Sequence, residues 1–393
     1  MTKQPSYRFG EYTEPWEENK LGEVSTSFSG GTPAAGNKKY YGGEIPFIRS
    51  AEINSDKTEL FLTKEGLDNS SAKLVKKGDI LYALYGATSG EVGISKINGA
   101  INQAILSIIP KTNYTSEFIM QWLRLQKKNI TDKYLQGGQG NLSGSIVKEL
   151  GIFFPSLPEQ TAIGSFFQDI DQLISLQQRK LEVLKEQKKT YLKLLFPAKG
   201  QTKPALRFAG FEDDWKRKNF GDFLVEFNEK TIVENQHELL SSTNNGIEPR
   251  KGRVSGESNI GYKVLKKDMI VLSPQNLWLG NINYNADYES GIVSPSYKIF
   301  NVLDIDKKFI SILIRHPYMN YEYGQASVQG ASVVRRNLDI DLFNTIQILL
   351  PPLEEQTLIG SFFQELDKAI AKQEEKVNQL KESKQTLLRK MFI

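Results

Sequence analysis

The side chains that could support catalysis are few and lie far apart in the sequence. His237 and His316 are the only histidines and show no helical pairing, so neither a zinc site nor a histidine-based triad is expected. The chain has no G-x-x-x-x-G-K-[ST] loop for phosphates. Its glycine-rich stretch, residues 137–144, lacks the spacing of a dinucleotide-binding fingerprint and is expected to be a polar loop.

One short motif comes closer to catalytic chemistry. Ser294-Pro295-Ser296-Tyr297 is similar to the (N/D/S)PP(Y/F) motif of amino-methyltransferases, but the second proline is absent. No glycine motif for S-adenosylmethionine accompanies it. The sequence therefore predicts a chain without catalytic, cofactor-binding or metal-binding residues.

The bulk composition indicates a folded chain with a mildly cationic surface. Its 393 residues, 39% hydrophobic and 24% charged, suffice for two globular domains. A net charge of +4 suits a polyanionic partner without deciding for one. The sequence has no cysteine, no secretory apolar region after Met1 and no apolar run of about 18 residues. We expect a cytoplasmic protein that does not insert into membranes.

The chain contains the same unit twice. Residues 155–196 align without a gap to residues 351–392, and about half of the aligned positions are identical. A shorter repeat precedes each variable region: Pro5-Ser-Tyr-Arg8-Phe9 with Trp16 and Gly22 recurs as Pro204-Ala-Leu-Arg207-Phe208 with Trp215 and Gly221. Such repetition defines the architecture. Each repeat has a short lead-in, a body and a helical tail.

The two bodies differ in sequence but share a pattern of strands. Each contains β-branched and aromatic residues after a Lys/Asp turn, in residues 76–94 and 265–282. We predict two mixed α/β domains within an α+β fold. The predicted regions are a first domain at 1–154, a helical region at 155–200, a second domain at 201–350 and a C-terminal helical region at 351–393.

Each tail predicts one long helix with a heptad stripe. Apolar residues recur at alternating spacings of four and three, so two such helices would bury their stripes against each other. Polar interruptions at Gln177, Lys188, Gln373 and Lys384 are expected to set the pairing register. The predicted coiled-coil seam consists of Ile163, Phe167, Ile170, Ile174, Leu181, Leu184, Leu195, Ile359, Phe363, Leu366, Ile370, Val377, Leu380, Leu387 and Met391.

Taken together, these motifs resemble the specificity subunit of type I restriction-modification systems. The likeness rests on the doubled P-x-L-x-E-Q-x-x-I-G-x-F-F tail and on the R-F-x(6)-W-x(5)-G lead-in. It also rests on SGGTPAAGNKKYYGGEIPFIRSAEI from Ser29 and KKGDILYALYGATSGEVGI from Lys76. The likeness covers essentially the whole chain, although the second body fits more loosely than the first.

The resemblance implies a non-catalytic subunit that selects a DNA sequence. Each body would be a target-recognition domain for one half of a bipartite, asymmetric site on double-stranded DNA. The two bodies would be related by a pseudo-two-fold axis and separated by an antiparallel two-helix coiled coil. The helices would dock two methylation subunits, which carry S-adenosylmethionine and methylate adenine at N6. Restriction subunits would supply cleavage that depends on ATP and Mg²⁺.

Contacts with DNA are expected in polar loops of the two bodies, because base edges pair with amide, hydroxyl and cationic side chains and loops on a rigid scaffold carry most readout. In the first body the candidates are Thr32, Lys38, Lys39, Tyr40, Arg49, Tyr85, Thr88, Ser89, Gln136, Gln139, Asn141 and Ser143. In the second body they are Ser242, Thr243, Asn244, Lys251, Arg253, Gln275, Asn276, Gln329, Ser332, Arg335 and Arg336.

Other functions remain compatible with the sequence. A coiled-coil adaptor whose bodies bind proteins would show no affinity for DNA. A self-contained endonuclease or methyltransferase would turn over substrate without partners. For each candidate residue, the alternative is a solvated or turn-stabilising polar side chain.

Overall fold

A computed structural model describes residues 4–135, 141–250, 258–329 and 336–393. The chain forms two compact units, each of which mixes helices and strands. Unit 1 comprises residues 1–179 and 375–393, and unit 2 comprises residues 180–374. The predicted α+β class is confirmed.

Unit 1 contains the first body. Its strands are β1 (Glu17–Lys20), β2 (Ser25–Ser29), β3 (Tyr41–Ile48), β4 (Phe61–Leu62), β5 (Lys73–Val75), β6 (Ile80–Ala83), β7 (Val92–Ile94), β8 (Gly99–Ile101), β9 (Ile105–Pro110) and β10 (Gly151–Phe154). Its helices are α1 (Leu21–Val24), α2 (Lys64–Asp68), α3 (Ser116–Tyr134), α4 (Gly144–Lys148) and the first part of α5 (Leu157–Leu194).

Two four-stranded sheets organise unit 1. The first is antiparallel with the order β2-β9-β6-β7, and the second has the order β4-β3-β8-β5 with β3 parallel to β8. Strand β6 is buried along its whole length, as its run of apolar and aromatic residues predicts. Strands β1 and β10 pair separately, next to the start of α5.

Unit 2 contains the second body. Its strands are β11 (Lys216–Asn219), β12 (Leu224–Phe227), β13 (Leu240–Thr243), β14 (Gly246–Pro249), β15 (Lys263–Lys266), β16 (Ile270–Leu272), β17 (Ile282–Tyr284), β18 (Ser290–Val293), β19 (Lys298–Val302), β20 (Ser327–Gln329), β21 (Arg336–Leu338) and β22 (Gln347–Leu350). Its helices are α6 (Lys307–Leu313), α7 (Met319–Gln325), α8 (Ile340–Asn344), the later part of α5 and the first part of α9 (Leu353–Met391).

The sheets of unit 2 repeat those of unit 1. The four-stranded sheet has the order β12-β19-β16-β17, which matches β2-β9-β6-β7 strand for strand. The pair β15–β18 corresponds to β5–β8, and β11–β22 corresponds to β1–β10. The two bodies therefore share one topology although their sequences differ.

The repeated Glu-Gln of the tail motif anchors each long helix to its own body. Glu159 accepts two hydrogen bonds from Arg8 of the lead-in, at 2.8 and 2.6 Å. Glu355 accepts two from Arg207, at 2.9 and 2.6 Å. Each carboxylate side chain is only 1% exposed, so each pair satisfies a buried charge. The lead-in and tail motifs thus recur together because they bind each other.

The glutamine of the same motif connects the strand, the long helix and the body helix. Gln160 donates to the carbonyl of Pro155 at 2.9 Å and accepts from the backbone N–H of Thr115, the N-cap residue of α3. Gln356 makes the same two bonds, to the carbonyl before α9 and to the backbone N–H of Asp306, the N-cap residue of α6. The entry to each long helix is therefore rigid.

The glycine of the tail motif allows two helices to pack closely. A β-carbon at Gly164 would lie 2.7 Å from the Cβ of Glu117 in α3. At Gly360 it would lie 2.7 Å from the Cβ of Lys308 in α6. Because real Cβ contacts are not this short, any larger residue would push the body helix away from the long helix.

The core of each unit includes the end of the other repeat's tail. Leu388, Met391 and Phe392, which close the second repeat, belong to the core of unit 1. Leu195 and Phe196, which close the first repeat, belong to the core of unit 2. Each repeat therefore starts a long helix in one core and ends it in the other.

Within each unit the two long helices run antiparallel. In unit 1 Asp171, early in α5, pairs with Lys384, late in α9. In unit 2 Asp367, early in α9, pairs with Lys188, late in α5. Both pairs are 2.5 Å apart, and every predicted seam residue is buried or half-buried. The two seam lysines thus bind carboxylates of the opposite helix, in keeping with a role in register.

Candidate nucleic-acid interface

In unit 1 the loop between β6 and β7 meets the segment that precedes α4. Tyr85 forms an isolated backbone bridge with Asn141. Gly86 and Gly90 turn this loop with φ values of +80° and +78°, which favour glycine. The Ser89 hydroxyl donates to the carbonyl of Leu84 at 3.0 Å. The structure therefore brings the predicted residues Tyr85, Thr88, Ser89 and Asn141 together on two loops that meet.

A glutamine that the sequence analysis did not select extends this cluster. Gln103 is exposed and accepts a hydrogen bond from the hydroxyl of Thr32. Gln103 also lies close to the half-buried Tyr85, and burial raises the pKa of that phenol. Thr32 and Tyr85, distant in sequence, thus both lie next to Gln103. No periodic pattern marks Gln103, because it lies in the short loop between β8 and β9.

The remaining candidates of unit 1 divide into exposed and structural side chains. Lys38 and Lys39 are exposed in a 3₁₀ turn that ends at Tyr40, and neither forms an ion pair within the described ranges. Arg49, in contrast, is engaged with Glu52 at 2.8 Å and Glu59 at 2.7 Å.

Arg49 and Ser143 of unit 1 are engaged in local contacts. Burial favours a higher pKa for Glu52, but hydrogen bonds from Arg49, from two backbone amides and from Thr58 outweigh it and lower the pKa to about 2. Ser143 caps α4 by accepting from the amide of Ile146. Gln136 and Gln139 lie outside the described residues. Arg49 and Ser143 therefore already stabilise local structure.

In unit 2 the loop between β16 and β17 meets the hairpin β20–β21, at the same topological position. Gln275 and Asn276 are exposed in this loop. Trp278 of the loop lies beneath Arg336, with the guanidinium carbon 5.1 Å from the ring centroid, a cation–π distance. The backbone of Arg336 pairs with that of Gln329 in the β20–β21 register. The loop that carries the predicted Gln275 and Asn276 therefore contacts the predicted Arg336 through Trp278.

The β13–β14 hairpin of unit 2 holds the other described candidates. Asn244 is exposed, and Thr243 accepts from the amide of Asn245 at 3.1 Å within the turn. Ser242 corrects the sequence-based expectation, because it is only 3% exposed and bonds Asn281 and Asn283 internally. Its side chain offers no surface to DNA in this structure. Lys251, Arg253, Ser332 and Arg335 lie outside the described residues.

The motif that is similar to a methyltransferase tetrapeptide lies in the loop between β18 and β19. Tyr297 packs against a buried apolar cluster, and its hydroxyl donates to the carbonyl of Ser242 at 3.4 Å. Burial raises the pKa of Tyr297. Ser294 and Ser296 hydrogen-bond each other at 2.9 Å. These contacts assign the segment a role in packing the β13–β14 hairpin onto the sheet.

Metal-binding and membrane-spanning features can be assessed for the described part of the chain. There, no group of three or more His, Asp or Glu side chains is arranged to hold a metal ion. In the same ranges, no helix combines the length and the apolar character needed to cross a membrane.

Comparison with known proteins identifies the family. The family described as type I restriction modification DNA specificity domain matches residues 13–186 and 212–382. The MjaVIII specificity subunit of Methanocaldococcus jannaschii is 22% identical over 95% of this chain and 91% of its own length. The MjaIX specificity subunit of the same organism is 28% identical over 45% of this chain, a match that spans 43% of that protein.

A solved structure supports the same fold. The crystal structure of the type I restriction-modification S subunit from M. genitalium superposes with a TM-score of 0.64 at 17% identity. The superposition covers 100% of this chain and 99% of that chain. The two family matches fall on the two repeats that the sequence and the sheets define. The chain therefore belongs to the family of type I restriction-modification specificity subunits.

Proposed function

We propose that this chain is the DNA sequence-recognition subunit of a type I restriction-modification complex in the cytoplasm, and that it has no catalytic activity itself. Each unit would bind one half of a bipartite, asymmetric site on double-stranded DNA. Methylation subunits with S-adenosylmethionine would modify adenine at N6. Restriction subunits would use ATP and Mg²⁺ for translocation and cleavage.

The observation that carries this proposal is the repeated position of unlike polar loops. In both units the loop that follows the central strand, β6 or β16, meets the segment after the body helices. Tyr85 and Asn141 meet in unit 1, whereas Trp278 and Arg336 meet in unit 2. A common scaffold that presents different polar side chains at the same place suits two readers of different sequences.

The need for two readers follows from the size of single contacts. One good bidentate contact discriminates between bases by about 1–3 kcal/mol, whereas specific sites are bound about 4–10 kcal/mol more tightly than random DNA. Two linked units can combine their contributions, because binding of the first raises the effective concentration of the second. Because the two bodies differ, the two half-sites should also differ.

The paired helices would serve as spacer and docking surface. The 38 residues of α5 correspond to about 57 Å of helix, longer than one turn of B-DNA at about 34 Å. Helix α5 also exposes Leu173 and Leu176, at 41% and 54%. We propose that a methylation subunit covers this apolar surface. Replacing both leucines with glutamate should weaken copurification of that subunit without unfolding the chain, and unchanged copurification would exclude this surface.

Genome-wide mapping of methylated adenine tests the proposed function. The chain would be coexpressed with its methylation subunit, first unchanged and then with residues 17–154 replaced by the corresponding body of another family member. We expect one bipartite motif for the unchanged chain and a change in only one half after the exchange. A change in both halves, or in neither, would contradict two independent readers.

The same coexpressed complex can distinguish a DNA reader from a coiled-coil adaptor that binds proteins. A DNA reader held by phosphate contacts must lose affinity steeply as salt rises, because counterions are released on binding. An adaptor for proteins would show no DNA affinity in the presence of the partner subunits. Turnover of DNA by the purified chain alone would contradict the non-catalytic assignment.

A further inference from the structure

The turn between β13 and β14 presents two adjacent amides. Asn244 and Asn245 are both exposed, and within the described ranges neither side chain forms a hydrogen bond. Thr243 pairs with Gly246, so Asn244 and Asn245 are the two turn residues, and Gly246, which begins β14, has a φ of +140°. The preference of asparagine for turns would explain both residues, but it would not explain the hydrogen bonds that support the turn from below.

A buried network of amide side chains holds the base of this turn. The Asn283 amide donates to the hydroxyl of Ser242 at 2.7 Å and to the carbonyl of Thr243 at 2.8 Å. Asn281 donates to the carbonyl of Ser242 at 2.9 Å and accepts from its hydroxyl at 2.7 Å. Asn281 and Asn283 are 6% and 2% exposed. Four side-chain hydrogen bonds, three of them buried, thus hold the hairpin on the sheet.

An arginine that follows helix α6 also belongs to this hydrogen-bond network. Arg315, just after α6, donates to the Asn283 side chain and to the carbonyl of Asn244, the latter at 2.6 Å. Desolvation lowers the pKa of this guanidinium, and no carboxylate pairs with it among the described residues. At the corresponding place in unit 1, Arg124 is paired with Asp171 at 3.0 Å. Arg315 therefore orients a turn where its counterpart neutralises a charge.

We propose that Asn244 and Asn245 are the base-reading tip of unit 2, and that Arg315 and Asn283 are positioning residues that hold this tip rigid. The proposal rests on the proposed function above. Asparagine forms a bidentate pair with the N6 and N7 edge of adenine, and such readout needs a fixed approach angle. A tip that is already ordered before binding loses less entropy when it contacts DNA.

The first test separates readout from general binding. Asn244→Ala and Asn245→Ala would each be expressed with the methylation subunit, and methylated sites would be mapped genome-wide. We expect at least one variant to relax one base pair in the half-site assigned to residues 216–350, with about a tenfold or greater loss of discrimination at that pair. Asn301→Ala, a half-exposed asparagine of β19, is the matched control and should retain the motif.

The second test concerns the positioning residues. Arg315→Ala should relax the same base pair as the tip variants, and Arg315→Lys should restore only part of the discrimination because it lacks the two-pronged donor. Thermal unfolding of each complex shows whether the variant is folded, and discrimination is measured on folded complexes with duplexes substituted at each position. A merely structural arginine would lower the melting temperature and leave the base preference unchanged.

Three results would overturn the inference. Retention of the full motif in both tip variants would exclude them as readers. A uniform loss of affinity for all sequences would indicate that the tip contacts phosphates. A change in the half-site of unit 1 would show that the tip does not read the half-site of unit 2. If the unchanged complex itself gave no bipartite motif, the proposed function would fail first and this inference with it.

Discussion

The two units contain the same four-stranded sheet, but they differ in how they hold one loop. This loop follows β3 in unit 1 and β13 in unit 2, and different side chains stabilise it in each unit. In unit 1 strand β3 runs parallel to β8, and in unit 2 Leu239, just before β13, forms a parallel bridge with Ile292 of β18. The loop that follows in unit 1 is held by Arg49 with Glu52 and Glu59, an ionic cluster. In unit 2 the corresponding turn is held by neutral amides and Arg315.

This difference shows which features of the repeat serve the fold. The Arg–Glu pair of the lead-in, the Gln that joins three elements and the close-packing Gly occur in both repeats with the same contacts. The residues that support and present the polar loops are not repeated. Duplication has therefore kept the scaffold, while the loops have diverged as two separate readers would require.

The largest expected effect tests whether each long helix ends in the core of the other repeat's body. Phe196→Ala should destabilise unit 2, and Phe392→Ala should destabilise unit 1, each by about 3–5 kcal/mol, because each ring fills a core of the other repeat's body. Urea unfolding followed by hydrogen exchange would locate each loss. Phe61→Ala, at a 38% exposed ring, is the control and should cost less. If each change weakened the unit of its own repeat instead, the assignment of the cores would be wrong.

The next effect tests whether the two anchors are equivalent. Arg8→Ala and Arg207→Ala should each cost about 3 kcal/mol in the free energy of unfolding, since each leaves a buried carboxylate without its partner. Chemical denaturation of the two variants measures the costs side by side. Costs that differ by more than about 1 kcal/mol would show that the two anchors are not equivalent.

The two seam lysines, Lys188 and Lys384, differ in burial, so their replacement should destabilise the chain by different amounts. The side chain of Lys384 is 7% exposed, and desolvation lowers its pKa, whereas that of Lys188 is 33% exposed. We expect Lys384→Ala to cost about 1–2 kcal/mol and Lys188→Ala less than about 1 kcal/mol in denaturation experiments. The reverse order would contradict the packing of the two helix pairs.

The smallest expected effect is the loss of stability at low pH when Glu52 becomes protonated. The pKa of Glu52 is about 2 in the folded chain against an ordinary 4.5, so its contribution is complete above about pH 5 and is lost as the pH falls towards 2. Because the ion pair is partly exposed, we expect only about 1 kcal/mol.

Hydrogen exchange between pH 5 and pH 3, corrected for intrinsic rates, would measure this effect. Residues 53–59 should lose protection, whereas residues 243–247 should not, because the network at that turn contains no carboxylate. Glu52→Gln should remove the pH dependence of the first segment. Equal responses of the two loops would show that their supports do not differ in the way described.

Much of the architecture could be predicted from the sequence. The heptad spacing predicted both long helices, and the doubled motifs predicted two bodies of one fold. The exchange of helix ends between cores could not be predicted, because Phe196 and Phe392 lie at equivalent repeat positions and periodicity does not reveal which core a ring enters. For the sites, the alternation of Asn281, Asn283 and Asn285 indicates that these side chains share one face, but only the structure shows that this face is buried. Arg315 carried no such signal, since its role depends on a contact across the fold.

The most direct test of two readers on one scaffold is a chain that carries the first body twice, with residues 216–350 replaced by residues 17–154. Coexpressed with the methylation subunit and mapped genome-wide, this chain should methylate a motif whose two halves are inverted copies of the half assigned to unit 1. A folded complex that kept the original asymmetric motif, or that methylated a motif with two unlike halves, would contradict the account.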